Sequence, residues 1–177
     1  MEKKIERIKG SIFDGIKFVI TALNPKDQYK KAYVTKIYAT DSQIMATDGK
    51  RLHVIDNDAF NEPFLEPGYW EVIKNTKSEI FLIKSDDDSK YPNIEKVIST
   101  DYELSIDLSF SDNGTAQSRF YYDLITATKR PIQYDYIAAL PKETWKVSYC
   151  EDVTKSIRFD TTMGTRKTMA VIMPIIG

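Results

Sequence analysis

The amino-acid sequence predicts an α+β protein in which antiparallel strands outnumber helices. Short runs rich in Tyr, Val, Ile and Thr recur along the chain, and such runs are typical of strands. Turn residues separate successive runs, which favours antiparallel pairing. The charged stretch "SDDDSKYPNIEKVIST" interrupts the series, so we expect two sub-assemblies joined near residues 91–100.

The first predicted element is a helix over Ser11–Leu23. Ser11 is a suitable N-cap, and Pro25 stops the helix. Apolar residues are spaced for one helix face at Ile12, Ile16, Val19 and Leu23. The first strand series follows in "AYVTKIYAT", "QIMAT", "RLHVI", "GYWEVI" and "EIFLIK".

The second strand series consists of "YELSIDLSF", "SRFYYDLIT", "WKVSYC", "SIRFD" and "MAVIMPI". Within it, "QYDYIAALP" predicts a second, short helix that ends before Pro141, because a proline disfavours helical geometry in the preceding residue. The sequence thus predicts one well-defined helix and one weaker helix among many strands.

The composition limits the class of protein. The 177 residues are 42% hydrophobic and 29% charged, which is typical of a soluble globular chain. The 25 Lys and Arg nearly cancel the 26 Asp and Glu, so a nucleic-acid surface would need local segregation of charge. A single cysteine excludes an internal disulfide, the start lacks the apolar core of a secretory signal, and no apolar run approaches the roughly 20 residues that span a bilayer. We expect a cytoplasmic protein that does not enter membranes.

Candidate catalytic or metal-binding residues are few. His53 is the only histidine, so neither a histidine-containing triad nor a multi-histidine metal site can form within one chain. The acidic run 86–88 lacks the spacing of an EF-hand, and "MGTRKT" at 163–168 lacks the first glycine of a phosphate loop and predicts a hairpin turn. Cys150 has no evident activating partner. We predict no enzymatic activity, no cofactor and no metal, the alternative being a metal-dependent hydrolase or nuclease that uses 86–88.

The stretch "ATDGKRLHVI" is the most specific local signal in the sequence. Asp48-Gly49 lies between two strand-like runs, and both residues tolerate the positive φ of a type I′ turn. On this pattern alone the segment is a structural hairpin turn with Lys50 and Arg51 as solvated strand residues. The alternative is that the turn also forms the wall of a recognition site.

Three motifs together resemble one protein family. "MATDGKRLHV" resembles the "ATDGHRL" motif of the bacterial DNA polymerase III beta subunit, the replicative sliding clamp. "KYPNIEKVI" is similar to the connector into the clamp's last domain, and "AVIMPI" is similar to its terminal "VVMPM". The resemblance implies a DNA-clamp-like fold of antiparallel sheets with one or two short helices per domain. It implies a shortened middle clamp domain at 1–95 and a shortened last domain at 96–177.

The resemblance also implies a peptide-binding groove where the first and third motifs meet. One wall would consist of Thr47, Gly49, Lys50, Arg51 and Leu52, and the other of Val171, Met173, Pro174 and Ile175. Apolar members could receive a partner's hydrophobic anchor, while Arg51 orients the peptide. A buried strand is the alternative explanation for Met173 and Ile175. Lys50 replaces the family's usual histidine and "PIIG" replaces its usual chain end, so partner specificity is expected to differ.

In that family, helices line a hole around duplex DNA. In this sequence, positive charge is concentrated before the first predicted helix and is sparse on the helix itself. The polar side of the first helix carries Asp14, Lys17 and Thr21, which is nearly neutral. The predicted DNA-binding residues are Lys3, Lys4, Arg7, Lys9 and Lys17. A solvated basic terminus is the alternative reading of the first four.

The function implied by the resemblance is that of a processivity or tethering factor in DNA replication or repair. Its partners would be duplex DNA and DNA polymerase or other clamp-binding proteins that present a short linear peptide. Two domains per chain would close a six-domain ring as a trimer. The alternative is a clamp-like adaptor or decoy that binds clamp partners without encircling DNA.

Overall fold

The computed structural model describes residues 1–8, 12–27, 29, 31–59, 62–96, 98, 101–110 and 115–175. The chain divides into two compact units. The first unit consists of Met1–Pro92 and Thr162–Thr168, and the second of Asn93–Thr161 and Met169–Gly177.

The elements up to Pro92 are, in chain order, β1 Glu2–Glu6, α1 Ile12–Ile20, α2 Ala32–Thr35, β2 Ile37–Ala39, β3 Gln43–Thr47, β4 Arg51–Asp56, β5 Asp58–Ala59, β6 Glu62–Pro63, β7 Gly68–Asn75 and β8 Glu79–Lys84. Six of these strands form an antiparallel sheet in the order β1, β8, β7, β2, β3, β4, while β5 and β6 pair separately.

Helix α1 packs on β3 and β4 and closes the core of the first unit. Its residues Ile16 and Val19 are fully buried, as are Ile44 of β3 and Trp70 of β7. A Cβ at Gly15 would lie 2.9 Å from Cδ1 of Ile55, so glycine permits the close approach of helix and strand. Burial of this apolar face, at about 25 cal/mol per Å² of apolar surface removed from water, is the main driving force for the helix.

The elements after Pro92 are, in chain order, a 3₁₀ turn Ile94–Lys96, β9 Leu104–Ser109, α3 Ala116–Thr128, α4 Tyr134–Ala138, β10 Thr144–Tyr149, β11 Ile157–Met163 and β12 Arg166–Ile172. The second unit contains the strand order β12, β11, β10, β9, to which β12 contributes from Met169 onward. Phe120 of α3 stacks on Phe110 with ring centroids 4.2 Å apart, which packs the helix against the end of β9.

A buried arginine organises the loops of the second unit. The Arg130 side chain has no solvent exposure, and its Nη2 donates to the carbonyl oxygens of Cys150 over 2.6 Å and Asp152 over 2.7 Å. Within the described part of the chain, its Nε and Nη1 have no hydrogen-bond partner. Arg130 thus ties the segment after α3 to the loop after β10.

The tip of the β11–β12 hairpin belongs to the first unit. Arg166 Nη1 donates to the carbonyl oxygens of Asp56 and Asp58, and the Lys167 N–H donates to the Asp56 carboxylate over 2.9 Å. Gly164 in the turn has φ 63°, a conformation that glycine adopts at little cost. The hairpin turn predicted for "MGTRKT" is therefore confirmed.

The clearest error in the predicted elements is "SRFYYDLIT", which lies in α3 and not in a strand. Its buried positions in the helix are Ala116, Phe120, Leu124 and Thr128, spaced four apart. That spacing places them on one helix face, which outweighs the strand preference of the aromatic and β-branched residues. The two predicted helices are observed as α1 and α4, but α3, with 13 residues, is a longer helix that the sequence pattern assigns to a strand.

Smaller differences affect other elements. Residues 32–35 of the predicted strand "AYVTKIYAT" form α2, which is held by the Asn24 N–H bound to the Val34 carbonyl over 2.9 Å. The predicted helix Ser11–Leu23 is observed as α1 with a further turn of i to i−3 hydrogen bonds to Leu23, while its proposed N-cap Ser11 lies outside the described residues. Within the part of the chain that the structure describes, no helix has the length and apolar character needed to cross a membrane.

Candidate functional site

The turn between β3 and β4 is a four-residue loop closed by side chains. It lies between the strand pair Thr47 and Leu52. The Thr47 hydroxyl donates to the Arg51 carbonyl over 2.6 Å and accepts the Gly49 N–H over 3.0 Å. Oδ1 of Asp48 accepts the N–H groups of Lys50 and Arg51, each over 2.9 Å.

This geometry corrects the predicted type I′ turn. Only Gly49 has a positive φ, 86°, whereas a type I′ turn requires positive φ at both central residues. The Asp48 carboxylate binds two backbone N–H groups of the loop, so Asp48 acts through its side chain and keeps an ordinary backbone conformation. A Cβ at Gly49 would meet no atom within 4 Å, so the requirement for glycine is conformational.

Arg51 is held in place and is not a solvated strand residue. Its Nε donates to Oδ2 of Asp48 over 3.1 Å, and its Nη2 donates to the carbonyl oxygen of Thr21 just after α1. The side chains of Arg51 and Asp48 are each 13% exposed. A cation near the C-terminal end of a helix is favourable, so Arg51 joins the turn to α1. Lys50, in contrast, is exposed.

His53 lies beside this anchor and is buried. Its ring stacks on Phe18 at 4.1 Å, and Nδ1 lies 2.9 Å from the Phe18 carbonyl oxygen and 3.2 Å from the Thr21 hydroxyl. Burial lowers the pKa of His53 to about 3, although the hydrogen bond to the Phe18 carbonyl acts in the opposite direction. A neutral ring with Nδ1 as the donor fits this environment, and it makes His53 part of the core.

The second predicted wall lies at the end of β12 in the second unit. Val171 is 1% exposed, Pro174 is buried, Met173 is half-buried and Ile175 is 55% exposed. β12 ends at Ile172, so Met173 and Ile175 are not core-facing residues of a strand. The Ile175 N–H donates to the carbonyl oxygen of Pro131 over 2.8 Å, which fixes this segment beside the start of the α4 region.

The structure brings the predicted residues together in two groups. Thr47 and Gly49–Leu52 share one hairpin of the first unit, and Val171 and Met173–Ile175 form one chain segment of the second unit. Leu52 is 2% exposed and belongs to the core of its unit. The groove between the two groups stays a prediction.

Most of the predicted DNA-binding cations already have partners. Lys4 Nζ lies 2.8 Å from Glu6 and 3.3 Å from Glu79, and these carboxylates raise its pKa. Lys3 Nζ lies 4.5 Å from the centre of the Phe64 ring. Lys17 Nζ donates to Oδ1 of Asn75 over 2.5 Å.

Arg7 is exposed, and Lys9 lies outside the described residues. Arg7, just after β1, is thus the described member of the predicted set that is exposed and that has no side-chain partner described above. Within the predicted set, the carboxylates of Glu6 and Glu79 therefore offset the positive charge of Lys4.

The acidic run 86–88 does not gather around a common point. The Asp87 carboxylate accepts the Ser89 N–H over 3.0 Å and lies 3.6 Å from Lys36 Nζ; hydrogen bonding to Ser89, with Lys36 nearby, lowers its pKa. Among the described residues, no group of three or more His, Cys, Asp or Glu side chains could hold a metal ion.

Sequence reasoning missed two residues that organise the turn. The sequence pattern indicates Asp48 only as a turn former, whereas its carboxylate binds both the loop and Arg51. Thr21, 30 positions before Arg51, supplies the carbonyl that receives the guanidinium. The Asp-Gly pair indicated the first of these roles, whereas no local pattern indicated the second.

Comparison with known proteins identifies the fold. No protein-family model and no curated protein sequence matches this chain. Among solved structures, the Helicobacter pylori beta clamp in complex with 3,4-difluorobenzamide is similar, with a TM-score of 0.60 and 14% identity over 98% of this chain and 66% of that chain. The same clamp bound to a DNA ligase peptide gives a TM-score of 0.59 at 14% identity, with the same coverage.

The DNA polymerase III beta subunit of Thermotoga maritima is also similar, with a TM-score of 0.62 and 10% identity over 100% of this chain and 66% of that chain. At these identities the likeness establishes the fold alone. The chain thus has a DNA-clamp-like α+β fold of antiparallel sheet and short helices, and it spans about two thirds of the length of these clamps.

Proposed function

We propose that this chain is a non-enzymatic, clamp-like processivity or tethering factor in DNA replication or repair, which binds partner proteins through a short linear peptide. The proposal rests on the similarity of the fold to beta clamps over 98–100% of the chain. One of these similar structures is a clamp bound to a DNA ligase peptide. The partners would be DNA polymerase or other proteins that present such a peptide, together with duplex DNA.

The proposed peptide site combines a rigid polar wall with an apolar wall. Arg51 is fixed by Asp48 and by the Thr21 carbonyl, so it orients a peptide at little cost in side-chain entropy. Met173 is half-buried and Ile175 is exposed, which leaves apolar surface for a hydrophobic anchor, and methionine adapts its shape to such an anchor. Lys50 is exposed and adds a flexible charge at the rim.

Encircling DNA requires self-association, and each unit has an edge strand suited to it. In the described residues β1 pairs with β8 only, and β9 pairs with β10 only. An unpaired strand edge presents backbone N–H and C=O groups that can extend a sheet into a second copy. Pairing of β1 with β9 of the next chain would be heterologous, and a ring results if the rotation closes. Three chains would supply six clamp-like domains.

A clamp-like adaptor that binds partner peptides without encircling DNA is the second candidate. The observation that favours it is the pairing of Lys4 with Glu6 and Glu79, together with the bond from Lys17 to Asn75. Cations engaged with carboxylates of their own unit contribute less to phosphate binding, because binding DNA would require those contacts to be exchanged.

Light scattering in solution, with and without circular duplex DNA, separates these two functions. A ring-forming factor is expected as a defined oligomer of about three chains, which stays on circular DNA and dissociates from the same DNA after linearisation. A monomer that persists at high protein concentration and does not remain on circular DNA would reject the ring and leave the adaptor.

A further inference from the structure

A pocket of about 420 Å³ lies in the first unit, and none of the described residues that line it is among those proposed for peptide or DNA binding. It is lined by Pro25, Thr35, Lys36, Glu71, Val72 and Ile73. Its volume is within the range of ligand-binding pockets, which is roughly 300–1,000 Å³. The proposed function assigns no role to it.

One side of the pocket is apolar because of an irregularity in β7. Val72 pairs with Leu82 and Lys74 pairs with Phe81, so Ile73 is an extra residue with no partner on β8. The Ile73 side chain is 54% exposed. Bulges of this kind redirect a side chain, and they are common beside binding sites.

The other side of the pocket carries an unequal set of charges. Lys36 Nζ lies 2.7 Å from the Ser85 hydroxyl, 3.0 Å from Oε1 of Glu71 and 3.6 Å from Oδ2 of Asp87. The Ser85 hydroxyl and the Glu71 carboxylate are within hydrogen-bond distance of the ammonium group, and Asp87 forms a longer ion pair with it. Among the described residues, two carboxylates therefore share the Lys36 ammonium group, and Glu71 is the one that lines the pocket.

Glu71 keeps the capacity to accept another donor. Among the described residues its carboxylate is bound by Lys36 alone, and its side chain is 47% exposed. A carboxylate can accept at both oxygens, so one Lys36 contact leaves room for a second cation or N–H group.

We propose that this pocket binds a basic side chain of a partner polypeptide. The aliphatic stem of a lysine or arginine would lie on Val72 and Ile73, while its charged group binds the free side of the Glu71 carboxylate. The exposure of Ile73 and Glu71 shows that the pocket is open to solvent. An open pocket suits one side chain of a larger partner better than a free small molecule, which binds where most of its surface is buried.

This inference does not depend on the clamp function, so it is tested with unrelated probes. Acetyl-Leu-Lys-Leu-amide is titrated into the ¹⁵N-labelled full chain, beside the matched peptides that carry glutamate or norleucine in the central position. The lysine peptide is expected to shift the backbone amide signals of 35–36 and 71–73 in a saturable manner. The norleucine peptide should bind more weakly, and the glutamate peptide should leave these signals unchanged.

Two variants of the pocket are expected to act in opposite directions. Glu71→Gln should lower the affinity for the lysine peptide about two- to fivefold, which is the scale of one solvent-exposed ion pair. Lys36→Met should raise the affinity for the lysine peptide, because the Glu71 carboxylate loses its internal partner. Glu62→Gln changes an exposed carboxylate of the same unit that lies outside the pocket, and it should have no effect.

The amide spectrum of each variant shows whether the fold is retained. Ile73→Ser, at an exposed position, is a further variant that removes only the apolar contact with the ligand. The proposal is overturned if the lysine peptide does not shift the pocket signals of the unmodified chain. Equal binding of the glutamate peptide would exclude a cationic ligand. Weaker binding to Lys36→Met would show that Lys36 does not compete with the ligand for the Glu71 carboxylate, and it would overturn the proposed contact.

Discussion

Arg51 and Asp48 form an ion pair that closes the β3–β4 turn and also fixes it to the chain after α1. The Nε to Oδ2 distance is 3.1 Å and both side chains are 13% exposed, while Nη2 of Arg51 reaches the Thr21 carbonyl. The Arg51 guanidinium is therefore bound by groups of its own unit, and the geometry of the turn depends on these contacts.

Replacing Asp48 tests this dependence. We expect Asp48→Ala to lower the free energy of unfolding by about 2–3 kcal/mol, because it removes two backbone hydrogen bonds and leaves Arg51 without its carboxylate. Asp48→Asn keeps the acceptor at Oδ1 and should cost about half as much. Urea unfolding at pH 7 measures both changes. The exposed Asp86 supplies the control, and an Asp48→Ala loss no larger than that of Asp86→Ala would contradict the role of Asp48.

The buried His53 predicts a loss of stability as the pH falls. In the unfolded chain its imidazole binds a proton below about pH 6.5, whereas in the folded chain its pKa is about 3. The unfolded state binds more protons between these values, so stability is full above pH 6.5 and falls by up to about 1.4 kcal/mol per pH unit as the pH drops towards 3.

The range from pH 7 to pH 5 isolates this effect, because carboxylates remain ionised there. Denaturant unfolding across that range should show a falling free energy for the unmodified chain and a nearly flat one for His53→Gln. Parallel curves for the two proteins would mean that the pKa of His53 is the same in the folded and the unfolded chain, which would contradict its burial as a neutral ring.

The apolar wall of the proposed peptide groove is tested at Met173. A peptide with a glutamine and paired hydrophobic anchors should bind the unmodified chain, and Met173→Asp should reduce its affinity at least about tenfold, since docking would then bury an unpaired charge. Val153→Asp places the same charge at an exposed apolar residue of the second unit and should leave binding unchanged. Calorimetric titration measures the affinities, and thermal unfolding confirms that the fold survives. Normal binding by folded Met173→Asp would remove this residue from the site.

The basic residues near the amino terminus differ in their expected effect on DNA. Arg7→Glu should weaken duplex binding and reduce the slope of log K against log salt by about 0.9, the contribution of one phosphate contact. Lys4→Glu should have a smaller effect, because Lys4 is already engaged with Glu6 and Glu79. Reversal of Lys3, Lys4, Arg7 and Lys9 together should abolish most of the salt dependence. An unchanged affinity and slope for that combined variant would exclude this segment from DNA binding.

The strands flanking the Asp48-Gly49 turn could be predicted from the sequence because their signal is local. β3 and β4 coincide with the runs "QIMAT" and "RLHVI", and the polar turn between them marks their ends. Helix α3 could not be recognised by residue type, since Phe120, Tyr121, Tyr122 and Ile125 favour strands as single residues. The signal for a helix is the four-residue spacing of Phe120 and Leu124, which are both buried in α3. Two residues at this spacing are too few to distinguish a helix from a strand.

The candidate site shows the same limit. The position of the loop followed from Asp48-Gly49, but its closure by the Asp48 carboxylate and its attachment at Thr21 depend on packing between α1 and β4. The residues proposed for the peptide groove were identified by resemblance, since half-buried Met173 and buried Leu52 carry no distinguishing pattern. The three residues differ in burial: Leu52 belongs to the core of its unit, whereas Met173 is half-buried and Ile175 is exposed.

The division of the β11–β12 hairpin has a consequence for biosynthesis. Asp56 and Asp58 lie in the part of the first unit that leaves the ribosome early, but Arg166 and Lys167, which bind their carbonyl and carboxylate oxygens, are translated only after residues 93–161. The first unit therefore lacks the hydrogen bonds from Arg166 and Lys167 while residues 93–161 are being translated. A product that ends at Pro92 would lack these hydrogen bonds, and the first unit would regain them only with the 162–168 segment.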